Sequence, residues 1–213
     1  MPARVRALVT TRALGDMGSE QGRERLRAHL PGDPIWLRQV HGVNVINAAR
    51  ALTGTAADAS FSKETDVVCA VMAADCMPVL LAHDEGEVIG IAHAGWRGLA
   101  AGVIEAAVDA MGVPGDRMLA WLGPAIGPGG YEIGEEVRAA LLNRNARAAT
   151  AFSPTRPGHW RLDLVTVARQ RLASRGVTRV SGGGLCTLSD PARFFSYRRD
   201  RARERMAAAI WLA

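Results

Sequence analysis

Long apolar runs are missing from this 213-residue chain: charge, Gly or Pro interrupts each one well before the roughly 20 residues a membrane helix needs. The opening residues, MPARVRALVTTR, lack the apolar segment and small-residue site of a secretory signal. Cysteine is scarce. Cys69, Cys76 and Cys186 are odd in number and share no short spacing, which argues against a disulfide framework and fits a reducing compartment. A cytoplasmic location is expected. Lysine is nearly absent as well, with Lys63 the only one, so arginine supplies almost all the basic charge behind a net +5. The densest basic run, "RFFSYRRDRARER" from Arg193 to Arg205, is interrupted by Asp200 and Glu204 and lacks the interleaved aromatics of an RNA-stacking surface. A solvated, partly paired surface is expected there, with no nucleic-acid partner.

What is present suffices for a core. Hydrophobic residues make up 48% and charged ones 22%, the balance of an ordinary soluble domain. No repeat, low-complexity tract or long linker divides residues 1–213, so one domain is expected. β-rich runs are predicted at 5–11, on both sides of a glycine within 35–48, and at 65–76. "MPVLLAHDEGEVIGIAHAG" reads as a hairpin turning at Asp84-Glu85-Gly86. Helices are predicted over 18–30 behind a capping Ser19, over 98–112 up to Gly112, over 134–148, and over 163–177 up to Gly176. Further strands are predicted at 118–127, at 178–187 and in the terminal "RMAAAIWLA". Strands and helices mix without regular alternation, which predicts an α+β or layered α/β fold rather than a doubly wound sheet.

Two reactive side chains end apolar runs: Cys76 in "AADCMPVLL" and His93 in "GIAHAGWRG". Three roles stay open for Cys76: a nucleophile paired with histidine, a metal thiolate, or an inert buried thiol. His93 alternates onto one strand face with Ile89 and Ile91, where a backbone-bonded core imidazole is the ordinary case. His41 in "RQVHG" also ends an apolar run before a glycine. One thiolate and two imidazoles suit zinc or copper with a fourth position open. Their separation along the chain does not by itself bring them together.

The blocks "RQVHG", "ADASF", "AADCMPVLL", "AHAGWRGLAAGVIE", "GPAIGPGGYEIGEEV" and "FFSYRRD...RMAAAIWL" together resemble the family of laccase-like polyphenol oxidases. That family was once grouped with cysteine hydrolases and is now regarded as purine nucleoside phosphorylases with adenosine deaminase activity. The resemblance runs from about residue 8 to the C-terminus. It implies a four-layer α/β/β/α sandwich with mixed sheets. It also implies one metal site with His41, Cys76 and His93 as ligands, loaded with zinc or, alternatively, copper. By the same resemblance Asp75, Arg97 and Glu132 are expected to be catalytic, and Arg12 and Asp58 to contact substrate. The implied ligands are a purine nucleoside (adenosine, inosine or methylthioadenosine) and phosphate, with no membrane partner and the oligomeric state open. Two blocks depart from the family pattern, both on the substrate side. "ALGDMGS" replaces its "GG-x-S" turn and "LNL" segment, and Arg201-Ala202-Arg203-Glu204-Arg205 replaces its "TGR".

Histidine arithmetic separates the chemistries. A multicopper oxidase needs a three-copper cluster held mainly by further imidazoles. Beyond His41 and His93 the chain has only His29, His83 and His159, and no His-x-His pair. A cysteine hydrolase would need Cys76 free, which metal ligation forbids. Metal-assisted nucleoside chemistry uses the whole set. Zinc lowers the pKa of bound water to roughly 7, a carboxylate such as Asp75 or Glu132 shuttles the proton in deamination, and arginines such as Arg12 and Arg97 hold phosphate. A muropeptide-editing hydrolase and a non-catalytic metal-binding domain are the other readings.

Overall fold

The computed structural model describes residues 2–213. Its elements in chain order are β1 (Val5–Val9), α1 (Glu20–Arg27), β2 (Ile35–Trp36), β3 (Val45–Asn47), β4 (Ala59–Ser62), β5 (Cys69–Ala73), β6 (Met77–His83) and β7 (Ile89–Ala94). They continue with α2 (Trp96–Ala101), α3 (Val103–Met111), β8 (Met118–Leu122), β9 (Glu132–Gly134), α4 (Glu135–Arg144), β10 (Phe152–Arg156) and β11 (His159–Leu162). The last are α5 (Leu164–Ala173), β12 (Arg179–Gly182), α6 (Tyr197–Asp200) and β13 (Met206–Leu212). No helix is long and apolar enough to cross a membrane among the described residues.

β6 and β7 form the expected hairpin, antiparallel from Met77↔Ala94 to Ala82↔Ile89. Every residue of both is buried, which explains their continuous apolar sequence: both faces are covered. They sit inside a six-stranded sheet of order β12-β8-β6-β7-β4-β3. One face of that sheet, with Leu80, Ile89 and Ile91, packs on Val71, Ile210 and Leu212 of a four-stranded sheet, β1-β13-β5-β2. The other face, with Met77, Val79 and Leu81, packs on Leu99, Ile104 and Leu141 from α2, α3 and α4. Leu26 of α1 covers the far side of the four-stranded sheet over Trp36, Ala70 and Ala207. The layers therefore run α/β/β/α, as the resemblance implied.

Local differences have physical causes. The helix expected over 98–112 breaks into α2 and α3 because Gly102 adopts a left-handed φ of 102° and closes α2 with its own N–H on the Gly98 carbonyl. The 35–48 segment is no simple strand pair. β2 keeps two residues and pairs with β5, whereas β3 pairs with β4 in the other sheet. The chain from 37 to 44, which carries His41, thus crosses between the sheets. β9, β10 and β11 make a small third sheet, β10-β11-β9, whose largely exposed residues carry no alternating pattern to betray it.

Candidate metal centre and its cavity

Three chain segments far apart in sequence meet at one point. His93 lies near the end of β7, Cys76 just before β6, and His41 in the crossing between the sheets. One donor atom from each lies within 4.8 Å of the other two. Cys76 Sγ is 3.9 Å from His41 Nε2, and the two imidazole rings meet edge to face with centroids 4.9 Å apart. A tetrahedral zinc site with such ligands has edges of roughly 3.3–3.8 Å, so the donor set fits a metal with little adjustment. Burial is graded: His93 is buried, Cys76 half-buried and His41 exposed, which leaves the cluster open on one side. Gly95 makes this approach feasible. A Cβ there would stand 2.7 Å from Cys76 Sγ and 3.3 Å from the His41 ring.

Asp58 holds the cluster from behind. Its carboxylate accepts the backbone N–H groups of Val40, His41 and Gly42 at 3.0, 3.0 and 2.7 Å, and lies 2.9 Å from His93 Nδ1. The bond fixes the proton of neutral His93 on Nδ1 and turns its Nε2 lone pair toward Cys76 and His41. It also holds His41 at a φ of +60°, a conformation a non-glycine residue adopts only when its surroundings enforce it. Burial pushes the Asp58 carboxyl up, but the bonds from His93, Gly42 and Val40 outweigh it and keep the group below its ordinary value. Expected to touch substrate, Asp58 is instead wholly buried with its oxygens occupied.

The histidines and cysteine also interact electrostatically. Burial opposes the Cys76 thiolate, yet His93 and His41 more than offset it and lower the thiol to about 6. Burial likewise opposes charge on His93, and the Cys76 thiolate and Asp58 raise it to about 9.

A cavity of about 840 Å³ opens over the cluster. Asp75 and Arg97 line it. Asp75, at a φ of +88°, accepts Thr187 Oγ1 at 2.7 Å and the Arg198 N–H at 2.6 Å. Arg97 is exposed, lies 4.6 Å over the Trp96 ring and has no ion-pair partner among the described residues. Glu132 and Arg12 do not line it. Strand alternation sends Ile133 into the core, and the Glu132 carboxylate pairs instead with Arg156 at 3.0 Å. Arg12 donates to the Pro191 carbonyl and lies over Phe195, so it ties down a surface segment. The cavity's remaining cations, Arg38, Arg198, Arg201, Arg203 and Arg205, come largely from the run expected to be a partly paired surface. Arg193 and Arg199 of that run do pair, with Asp190 and Asp200. No spacing in the sequence separates paired from unpaired here, because Asp200 and Glu204 each stand between two arginines.

A family profile described as "Multi-copper polyphenol oxidoreductase laccase" matches residues 17–213. A purine nucleoside phosphorylase of Pseudomonas aeruginosa is 49% identical, over 99% of this chain and 95% of its own. Purine nucleoside phosphorylase YfiH of Escherichia coli is 46% identical, over 91% of this chain and 80% of its own. The crystal structure of a Neisseria meningitidis protein of the DUF152 family superposes with a TM-score of 0.94 at 42% identity, covering 99% of this chain and 95% of that one. With the profile spanning nearly the whole fold and such relatives on either side, the chain belongs to the laccase-like multi-copper polyphenol oxidoreductase family, whose members similar to it bear the name purine nucleoside phosphorylase.

Proposed function

We propose that this protein is a zinc-dependent purine nucleoside phosphorylase that also deaminates adenosine, with His41, Cys76 and His93 as metal ligands. The observation that carries this reading is the convergence of the His–Cys–His cluster on a cavity lined by unpaired arginines. Bound zinc supplies Lewis acidity and an activated water at neutral pH. The rest falls to the protein. Arg97 and Arg198 hold phosphate against the anomeric carbon of the nucleoside and offset the phosphate's own negative charge. The sugar–base bond breaks as the phosphate–carbon bond forms, and the proton lost by phosphate goes to the departing base. Tyr131 lies under Arg198 at 5.1 Å. Burial, with help from the Cys76 thiolate, raises its hydroxyl well above the usual value and keeps it a hydrogen-bond donor for base or sugar. Asp75 is the carboxylate among the described cavity-lining residues, which makes it the group to relay a proton in deamination.

Copper oxidation, suggested by the family's description, finds little support. His29 is exposed on α1's C-terminal side, His83 lies at the far end of β6, and His159 pairs with the Pro157 carbonyl on β11, so none of them lines the cavity. The deciding experiment measures metal content of purified protein and turnover of adenosine and inosine with and without phosphate. Phosphate-dependent release of base, lost together with metal in Cys76→Ala, is the expected result. Full metal content and turnover in that variant would sink the ligand assignment. Conversion of adenosine to inosine with no phosphate dependence would narrow the activity to deamination.

A further inference from the structure

Some arginines of this chain hold carboxylates, and others, inside the cavity and elsewhere, do not. Arg117, Arg175, Arg179, Arg193 and Arg199 each hold a carboxylate at ordinary ion-pair distance. Those lining the cavity over the metal cluster, Arg38, Arg97, Arg198, Arg201, Arg203 and Arg205, form no ion pair among the described residues. The cavity's own anions, Asp75 and the Cys76 thiolate, are fewer than these six guanidiniums. A nucleoside is neutral and phosphate brings about −2 at most near neutral pH. The guanidinium charge in the cavity exceeds what that pair of substrates neutralises.

These arginines are also ordered from inside to outside. Arg198 is half-buried, donates to the Glu132 carbonyl at 3.0 Å and lies over Tyr131. Arg205 donates to the carbonyls of Ala202 and Glu204. Arg201 and Arg203 are exposed, and neither side chain hydrogen-bonds to another described residue. Arg201 sits 5.8 Å over the Tyr197 ring. Aromatic faces thus lie among the guanidiniums, Trp96 and Tyr131 under Arg97 and Arg198 and Tyr197 under Arg201, a pattern that accepts a flat base and a run of phosphates together. Free donors at the exposed side suit bidentate contacts to phosphate oxygens.

We propose that the cavity binds purine nucleoside 5′-phosphates, di- and triphosphates most tightly, with the phosphate chain on Arg201 and Arg203, so that nucleotides compete with nucleosides for the site. The base and sugar placement rests on the purine nucleoside reading above; the charge argument does not.

Equilibrium binding of adenosine, AMP, ADP, ATP and inorganic tripolyphosphate to the metal-loaded protein tests this, by calorimetry at low and high salt. ADP and ATP are expected to bind at least about tenfold more tightly than adenosine, with the advantage shrinking as salt screens it. The double variant Arg201→Gln/Arg203→Gln, checked for unchanged metal content and melting temperature, should lose most of that advantage over adenosine. ATP no tighter than adenosine, or an undiminished advantage in the double variant, would overturn the proposal. So would tripolyphosphate binding as tightly as ATP, since the base would then go unread. Failure of the nucleoside reading shows separately, as absent turnover of adenosine and inosine, while the binding comparison stays readable.

Discussion

Two buried histidines sit at opposite ends of one hairpin and meet different fates. His93, near the end of β7, and His83, at the end of β6, have side chains only 4% and 7% exposed. Each also belongs to a trio of donors within 4.8 Å: His93 with His41 and Cys76, His83 with Glu85 and Glu87. Proximity of donors therefore does not separate them. What separates them is support and access. His93 has the fully buried Asp58 at 2.9 Å on its Nδ1 and a cavity in front. His83 has Glu87 at 3.5 Å from Nδ1 and Asp84 at 3.6 Å from Nε2, and its Nδ1 has no hydrogen bond. Asp84 is already engaged by Arg117 and Arg179, which hold its carboxyl down to about 2. A buried carboxylate behind an imidazole prepares it as a ligand; a half-buried Asp84 taken by arginines and an exposed Glu87 do not.

The sharpest way to break this comparison is to remove each imidazole in turn. His93→Gln should lose the bound metal and, with it, several kcal/mol of rate acceleration, a fall of about a thousandfold or more. His83→Gln should keep metal and turnover within about twofold, because the far end of β6 lines neither the metal cluster nor the cavity. Metal analysis and steady-state rates on both variants check this. Equal losses would erase the distinction drawn between the two ends.

Metal affinity should also depend on pH in a way only the His93 end can produce. Between about 6 and about 9 the metal-free pair exists as a Cys76 thiolate and a His93 imidazolium, because each stabilises the charge of the other. A metal ion must then displace the His93 proton. Affinity is lost as pH falls: it rises about tenfold per pH unit across that window and levels off above it. Below the window Cys76 binds a proton as well and the slope steepens. Chelator competition from below pH 6 to above pH 9 measures the profile, and a flat one would show that the metal displaces no proton from either group.

Asp58 gives a smaller and more local effect. Asp58→Asn preserves shape but offers one oxygen where two serve His93 and three backbone N–H groups. Metal affinity should fall about 10–100-fold, the usual consequence of losing the carboxylate behind a ligating imidazole. Turnover at saturating metal should fall far less. If turnover instead vanishes while metal stays bound, Asp58 acts on substrate after all.

How much of this was legible in the sequence depends on the distance over which each signal acts. The β6–β7 hairpin and the layered class were readable because continuous apolar runs and a turn at Asp84-Glu85-Gly86 are local patterns. The His–Cys–His trio was nameable through its motif blocks, but only the crossing of 37–44 between the two sheets brings His41 to the others. Glu132 and Arg12 do not line the cavity because a motif position says nothing of which way a side chain points, and both side chains found partners elsewhere. The role of the 198–205 arginines was hidden for the opposite reason. Charge along a sequence cannot show whether its acids lie close enough to pair, and here Asp200 pairs with Arg199 alone.

The smallest effect tests the His83 end by itself. Its Nδ1 is a buried polar atom without a partner, a situation that ordinarily costs about 1–3 kcal/mol. Replacing the ring by an apolar side chain of similar volume removes that penalty and loses no hydrogen bond made by the ring. His83→Leu should therefore leave stability within about 1 kcal/mol of the parent or raise it, in contrast to the loss expected of most core substitutions. Denaturant unfolding of the metal-free protein reads this directly. A destabilisation of several kcal/mol would mean that His83 holds Asp84 and Glu87 as firmly as Asp58 holds His93, and the two ends of the hairpin would then be alike in architecture and different only in access.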